Sequence, residues 1–288
     1  MKLSLTSDAR ANRRFVLLSP PGSSPREAFR NVEGDAEWRE KLLADMQRLR
    51  GHVYLTDGAI SQKDLTSDGR HVQPIDEKSW HLLTLSSSNR VVGCARYLLH
   101  SASTSFSRLR VRNSALGRSE HWSEPFRCAV EHELDTARRT GFSFVELGGW
   151  AIDESLRGTT DAVRIALFTY AWCQVVGGCL GISMATHRNG SASILRRIGG
   201  RPLEWNGSAL PAYFDAQYKC DMEVIRFDSR SPSTRYQQAV AEIRSQIADV
   251  PVVCTARPVR AWDLFVDHLQ NPAVGLIPWE SEGTASLV

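Results

Sequence analysis

The chain has 288 residues, 42% of them hydrophobic and 23% charged, with 35 basic against 32 acidic side chains and a formal net charge of +3. That length holds one large domain or two small ones with a sizeable core, and the near-balanced charge gives no footing for a protein that coats nucleic acid or a membrane surface. No apolar run approaches the roughly 20 residues that span a bilayer, and the start "MKLSLTSDARANRRF" has no apolar signal segment.

The cysteines at 94, 128, 173, 179, 220 and 254 form no CxxC pair and no Cys/His cluster with zinc spacing. They read as reduced, half-buried thiols of a cytoplasmic protein, and no metal is expected. Cys94, Cys173 and Cys179 lie in apolar runs, which favours packing over nucleophilic chemistry.

Along the chain, residues 1–33 are polar, carry "SPPGSSP", and read as a mobile N-terminal arm. "GDAEWREKLLADMQRLRG" puts Trp38, Leu42, Leu43, Met46 and Leu49 on one helical stripe that Gly51 should stop. "HVYLTDGAI" reads as a short strand entering a turn, and "SQKDLTSDGRHVQPID" as a loop. "WHLLTLSSSNRVVGCARYLLH" reads as two strands joined by a Ser/Asn turn. "SEPFRCAVEHELDTARRTG" is a helix on Phe126, Val130, Leu134 and Ala137, closed by Gly141. "FSFVELGGWAI" is a buried strand, 160–176 a helix, "CLGISMAT" another buried strand, and "NGSASILRRIGG" a short helix with a glycine stop. "AYFDAQYKCDMEVIRF" ends in a strand, and "SPSTRYQQAVAEIRSQIADV" is a further helix. The alternation over 142–227 means α/β layering.

Two features carry chemistry. Glycine inside a strand marks a bulge or a close backbone approach, so Gly148-Gly149 suggests N–H groups left free to polarise a carbonyl. "RGTTDA" then opens a helix, whose N-terminus attracts anions. Arg157 offers a fork of donors, Gly158 a close approach, and Thr159 or Thr160 a cap, while Asp161 places a negative charge where an anion would sit. An ordinary capped helix after a twist-tightening bulge explains the same residues. Glu146, inside an apolar strand, must be paired or have a raised pKa. It reads equally as a general base or as an ion pair to Arg96 across the sheet. "LGGWAI" lacks the GxGxxG spacing of a Rossmann nucleotide site.

This succession of bulged strand, "RGTTDA", strand and "NGSASILRRIGGRPL" resembles the GNAT superfamily of acyltransferases. Arg157 and Ala162 match the ends of that family's Arg/Gln-x-x-Gly-x-Gly/Ala loop, with Thr160 at a glycine position. Asn189 matches the asparagine after the next strand; Gly199-Gly200 stands for a glycine-aromatic pair, and Leu195 where many members carry an acid tyrosine. "RLRGHVY", "PIDEKSWHLL" and "RVVGCARYLL" further resemble the N-terminal half of autoinducer synthases and long-chain N-acyl amino acid synthases. Arg48, Tyr54, Asp76, Ser79, His81, Gly93 and Arg96 follow that order, with Asp68 the nearest upstream acid. Glu146 fits the catalytic-strand glutamate, but Gly149 replaces an arginine, which argues against a homoserine-lactone acceptor.

The resemblance implies a GNAT-like α/β (α+β) fold: a mixed, mostly antiparallel central sheet with a splayed pair of strands, flanked by helices. The divisions expected are an arm over 1–33, an acyltransferase domain over 34–228 and a helical extension over 229–288. The activity implied is transfer of an acyl group from a pantetheine thioester to a small-molecule amine, with amino acids among the candidates. Catalytic candidates are Glu146, Gly149, Arg96 and Asp76. Donor-binding candidates are Trp150, Ala151, Ile152, Arg157, Gly158, Thr159, Thr160, Asp161, Ala162 and Asn189. The donor would be acyl-CoA or an acyl carrier protein, the carrier favoured by Thr160 and Asp161 and by a basic patch of Arg196, Arg197 and Arg201. No nucleic acid and no membrane span are expected. A non-catalytic relative that senses a ligand or binds a partner is the competing reading, with Thr160 and Leu195 as its signs.

Overall fold

A computed structural model of the chain describes residues 13–255 except 24, 26–28 and 102. The outer parts of the expected arm and C-terminal extension, residues 1–12 and 256–288, lie outside the described residues.

The first strand, β1 (Arg14–Leu18), is followed by β2 (Val32–Gly34) and the long helix α1 (Ala36–Thr56). β1 corrects the reading of a mobile arm, because Phe15, Val16, Leu17 and Leu18 are buried in the sheet. The α1 boundary differs too: the helix starts at an Asp35 cap but runs through Gly51 to Thr56, so "HVYL" is helical. Gly51 does not stop the helix; it lets the Gly69 carbonyl lie where a side chain would stand. The hairpin β3 (Trp80–Leu85) and β4 (Val91–His100) is as the sequence predicts. Short 3₁₀ turns over 106–118 lead into α2 (Ser123–Thr140), closed by Gly141 in the left-handed region.

The long strand β5 (Ser143–Ile152) precedes α3 (Asp161–Val175), β6 (Cys179–Thr186) and α4 (Ser191–Ile198). Short pieces follow: β7 (Arg201–Pro202), the hairpin β8 (Glu204–Trp205) with β9 (Ser208–Ala209), and β10 (Tyr213–Asp215). Then come β11 (Cys220–Asp228), α5 (Gln237–Gln246) and β12 (Val252–Cys254).

The main sheet runs β10-β11-β6-β5-β4-β3-β1-β12-β2, with β7 also on β11. Its pairings are mostly antiparallel; the parallel ones are β5–β6, β1–β12 and β12–β2. This is the mixed sheet flanked by helices that the resemblance implies. One apolar cluster joins α3 to α5 through Trp172, Phe168, Val240 and Ile243, and another packs α1 on the opposite part of the sheet through Leu42, Met46 and Leu83. Because α5 and β12 are part of this core and sheet, a boundary at residue 228 does not describe residues 229–255.

Candidate functional site

The site begins where β5 loses its neighbours. On the β6 side, pairing ends at Leu147 with Ser183, although β5 continues to Ile152 and β6 to Thr186, so the strands part into a wedge. On the β4 side the register shifts between Cys94 and Arg96: Ala151 faces Cys94, Gly148 faces Arg96, and Gly149 and Trp150 both fall opposite Ala95. This is the bulge that the glycine pair suggests. Gly149 has φ +59°, and a Cβ there would stand 3.1 Å from the Arg96 Cβ, so glycine is needed for both conformation and space.

The wedge is a cavity of about 710 Å³. Trp150, Ala151 and Ile152 line one wall, and Arg157, Gly158, Thr159 and Ala162 close the end towards the start of α3. Asn189, Arg188 and Arg197 come from the far side, after β6. Leu195, standing where the GNAT resemblance implies a tyrosine in many members, is in the wall.

Thr160 and Asp161 are not part of this lining. Asp161 is buried: its carboxylate accepts from Arg13 at 2.9 Å and from the Thr159 hydroxyl at 2.8 Å, and Arg164 lies 3.5 Å away. The expected repulsion of an anion by Asp161 is therefore corrected, since two guanidiniums neutralise that carboxylate. The acid at the mouth is Asp57, just past α1. It accepts from Arg157 at 3.3 Å and from the Asn189 amide at 3.0 Å, and its carbonyl accepts from Arg188 at 2.5 Å. It clasps the two loops that flank the wedge.

At the other end, Arg96 and Glu146 line the same cavity. Register explains it: Leu98 pairs with Glu146 and Arg96 with Gly148, so all four fall on one face. Glu146 does not pair with Arg96. Its carboxylate accepts from the Val111 N–H at 2.8 Å, from the Arg110 N–H at 3.0 Å and from His100 Nε2 at 2.9 Å. Three of its four lone-pair positions are used, and one on Oε1 is left.

Asp76 is buried behind Arg96 and does not line the cavity. It accepts from Arg50 at 2.9 and 2.6 Å and from Arg96 at 3.1 Å. Burial pushes its pKa up, but the Arg50 hydrogen bonds and charge outweigh this and hold the carboxyl below the usual carboxylate range. The structure thus places Asp76, expected to line one cleft with Glu146, behind Arg96 and out of the cavity wall. His81, also fully buried, donates through Nε2 to the Asp76 carbonyl at 2.8 Å, and burial lowers its pKa to about 4. Tyr54 lines the cavity, whereas Arg48 is on the surface with Asp45 and Asp68.

Of the basic patch after β6, Arg196 is engaged with the buried Glu223 at 2.7 Å, leaving Arg197 at the cavity and Arg201 exposed. Among the described residues, no group of three His, Cys, Asp or Glu side chains is arranged to hold a metal, and no helix is long and apolar enough to cross a membrane.

Similar structures include a CoA-dependent acyl-homoserine lactone synthase, BjaI, solved with SAM and isopentyl-CoA, at 17% identity over 82% of this chain and 95% of that one, TM-score 0.49. The AHL synthase LasI is 14% identical over 76% of this chain and 91% of that one, TM-score 0.46. FeeM, an N-acyl amino acid synthase from uncultured soil microbes, is 12% identical over 82% and 97%, TM-score 0.42. No protein-family model and no curated protein matches the sequence.

Sequence reasoning missed Arg50, Asp57, Arg110 and Tyr218. Arg50 carried a signal: it falls on the apolar stripe of α1 between Met46 and Val53, where an unpaired guanidinium is costly. Tyr218 lies before β11 in a polar, irregular stretch, yet it lines the cavity and meets Tyr54 edge-on at 6.3 Å.

Proposed function

We propose that this chain is an enzyme that transfers an acyl group from a pantetheine thioester to a small-molecule amine. The observation that carries the reading is the Gly149 bulge at the apex of the β5–β6 wedge. It places backbone out of one-to-one pairing against a long cavity that ends at an Arg-Gly helix start. The pantetheine arm would lie in the wedge with its phosphate on Arg157 and the N–H groups of Gly158 and Ala162. The thioester carbonyl would face the bulge. The remaining Glu146 lone pair would accept the amine proton, directly or through one water. Arg96, held by Asp76, would orient the acceptor, and Asn189 would contact the arm from the β6 side. The donor is a carrier protein or CoA; neutralised Asp161 no longer argues for the carrier, while Asp57 at the mouth still opposes a highly charged donor.

One observation favours a ligand sensor instead: Asp57 already occupies Arg157 and Asn189. The test is thiol release from one acyl chain carried on CoA and on carrier protein, with a panel of amines, and N-acyl product followed by mass spectrometry. Thioester binding without thiol release from either donor would favour the sensor and overturn the enzyme.

A further inference from the structure

The acceptor end of the cavity holds more positive charge than its carboxylates balance. Asp76 serves both Arg50 and Arg96, so this buried trio carries one excess positive charge. Arg96 is the member that lines the cavity. Its Nη1 is used by Gln73 and Asp76, while its Nη2 lies 3.5 Å from where a Cβ on Gly148 would stand and has no hydrogen-bond partner among the described residues. A second guanidinium enters from the turns over 106–118. The Arg110 backbone is pinned by its N–H on Glu146, and its side chain lines the same cavity with no hydrogen bond or ion pair to any described residue. Both line one cavity, and after burial the Arg110 charge is the largest cause that lowers the Arg96 pKa. Like charges at one cavity wall repel until an anion lies beside them.

Among the arginines and carboxylates, the acceptor end counts one positive charge from the Arg50–Asp76–Arg96 trio, one from Arg110 and one negative from Glu146. The net is a single positive charge, with two guanidiniums to be satisfied and one carboxylate lone pair open to an ammonium. An acid-free amine binds as a cation and satisfies neither guanidinium. A monocarboxylic amino acid satisfies one. An ammonium with two acid groups has net charge −1 and satisfies all three partners.

We propose that the acceptor is an amine bearing two acid groups, one read by Arg96 Nη2 and the other by Arg110, with its ammonium on Glu146. This rests on the acyltransferase reading of the same cavity, and it makes Arg110 the specificity-determining residue. The test is calorimetric binding to the full chain of L-aspartate, L-glutamate and L-2-aminoadipate against L-asparagine, L-glutamine and butylamine. At least one diacid should bind about tenfold or more tighter than its amide, and butylamine weakest, as expected when a charge-assisted hydrogen-bond partner is removed. In Arg110→Ala the gap between diacid and amide should collapse; in Arg110→Lys part of it should return. Equal binding of diacid and amide, a gap that persists in Arg110→Ala, or no binding by any diacid overturns the proposal. Thiol release on the same samples separates the two readings. Release that favours butylamine sinks only the diacid acceptor, whereas diacid binding without thiol release from any donor sinks only the acyl transfer.

Discussion

Glu146→Gln keeps side-chain shape and removes the charge, and the hydrogen bonds give its cost. The carboxylate accepts from two backbone N–H groups, of Arg110 and Val111, and from His100. A carboxamide has one acceptor oxygen, so its NH2 must face one of those backbone donors. One buried N–H then loses its partner, which costs about 1–3 kcal/mol, and the remaining bond loses its charge assistance. We expect a loss of about 2 kcal/mol, seen in urea denaturation as a lower midpoint at unchanged slope. Activity should also fall, by about 10² to 10⁴ if Glu146 is the general base. The variant therefore tests two roles at once, and the readouts separate them. Stability within about 0.5 kcal/mol of wild type would refute the anchoring of the 110–111 turn. Thiol release within a few-fold of wild type would remove Glu146 from the proton transfer.

Gly149→Ala should cost about 1–2 kcal/mol, because a Cβ is strained at φ +59° and meets the Arg96 Cβ; denaturation should show that loss together with a fall of at least about tenfold in kcat/KM. His81 is neutral in the fold because burial lowers its pKa to about 4, so the unfolded chain binds the extra proton as pH falls below about 6.5. Stability from this group is present above that pH and declines towards pH 4, by about 2 kcal/mol between pH 7 and pH 5; His81→Gln should show a shallower decline, and an identical slope would contradict the assignment. Asp57→Ala frees Arg157 and Asn189 and should tighten donor binding severalfold, measured by calorimetry with the thioester or its thiol. Weaker donor binding would mean that Asp57 supports the mouth rather than competing for it.

What could be read from the sequence was local. The β3–β4 hairpin, α2, β5, α3 and β6 follow from runs whose periodicity and glycine stops agree with the final packing. The bulge was legible because glycines in an apolar strand have few explanations. The misreadings have tertiary causes. Gly51 stops a helix by propensity, but the approach of Gly69 overrides it, and the extra turn of α1 carries Tyr54 to the cavity. β1 is five residues beside a Pro/Gly/Ser segment, too short to announce itself, and becomes a strand through β3 and β12. Glu146 and Arg96 stood out as charges in apolar strands. Arg110 and Asp57 lie in polar segments where a charge is ordinary, and only the folding of those segments onto the wedge gives them a role.

The place of β12 has a consequence for how the chain comes to exist. Its three residues lie between β1 and β2, pairing in parallel with segments more than 200 positions earlier. During synthesis, β1 can find β3 soon after residue 85 emerges, yet its other edge stays bare until residue 254 has left the ribosome. That bare edge belongs to an apolar strand, a template for pairing with another nascent chain. A stop codon placed between 229 and 251 should therefore yield not a smaller working protein but one that aggregates, even though every residue that lines the cavity would already have been made.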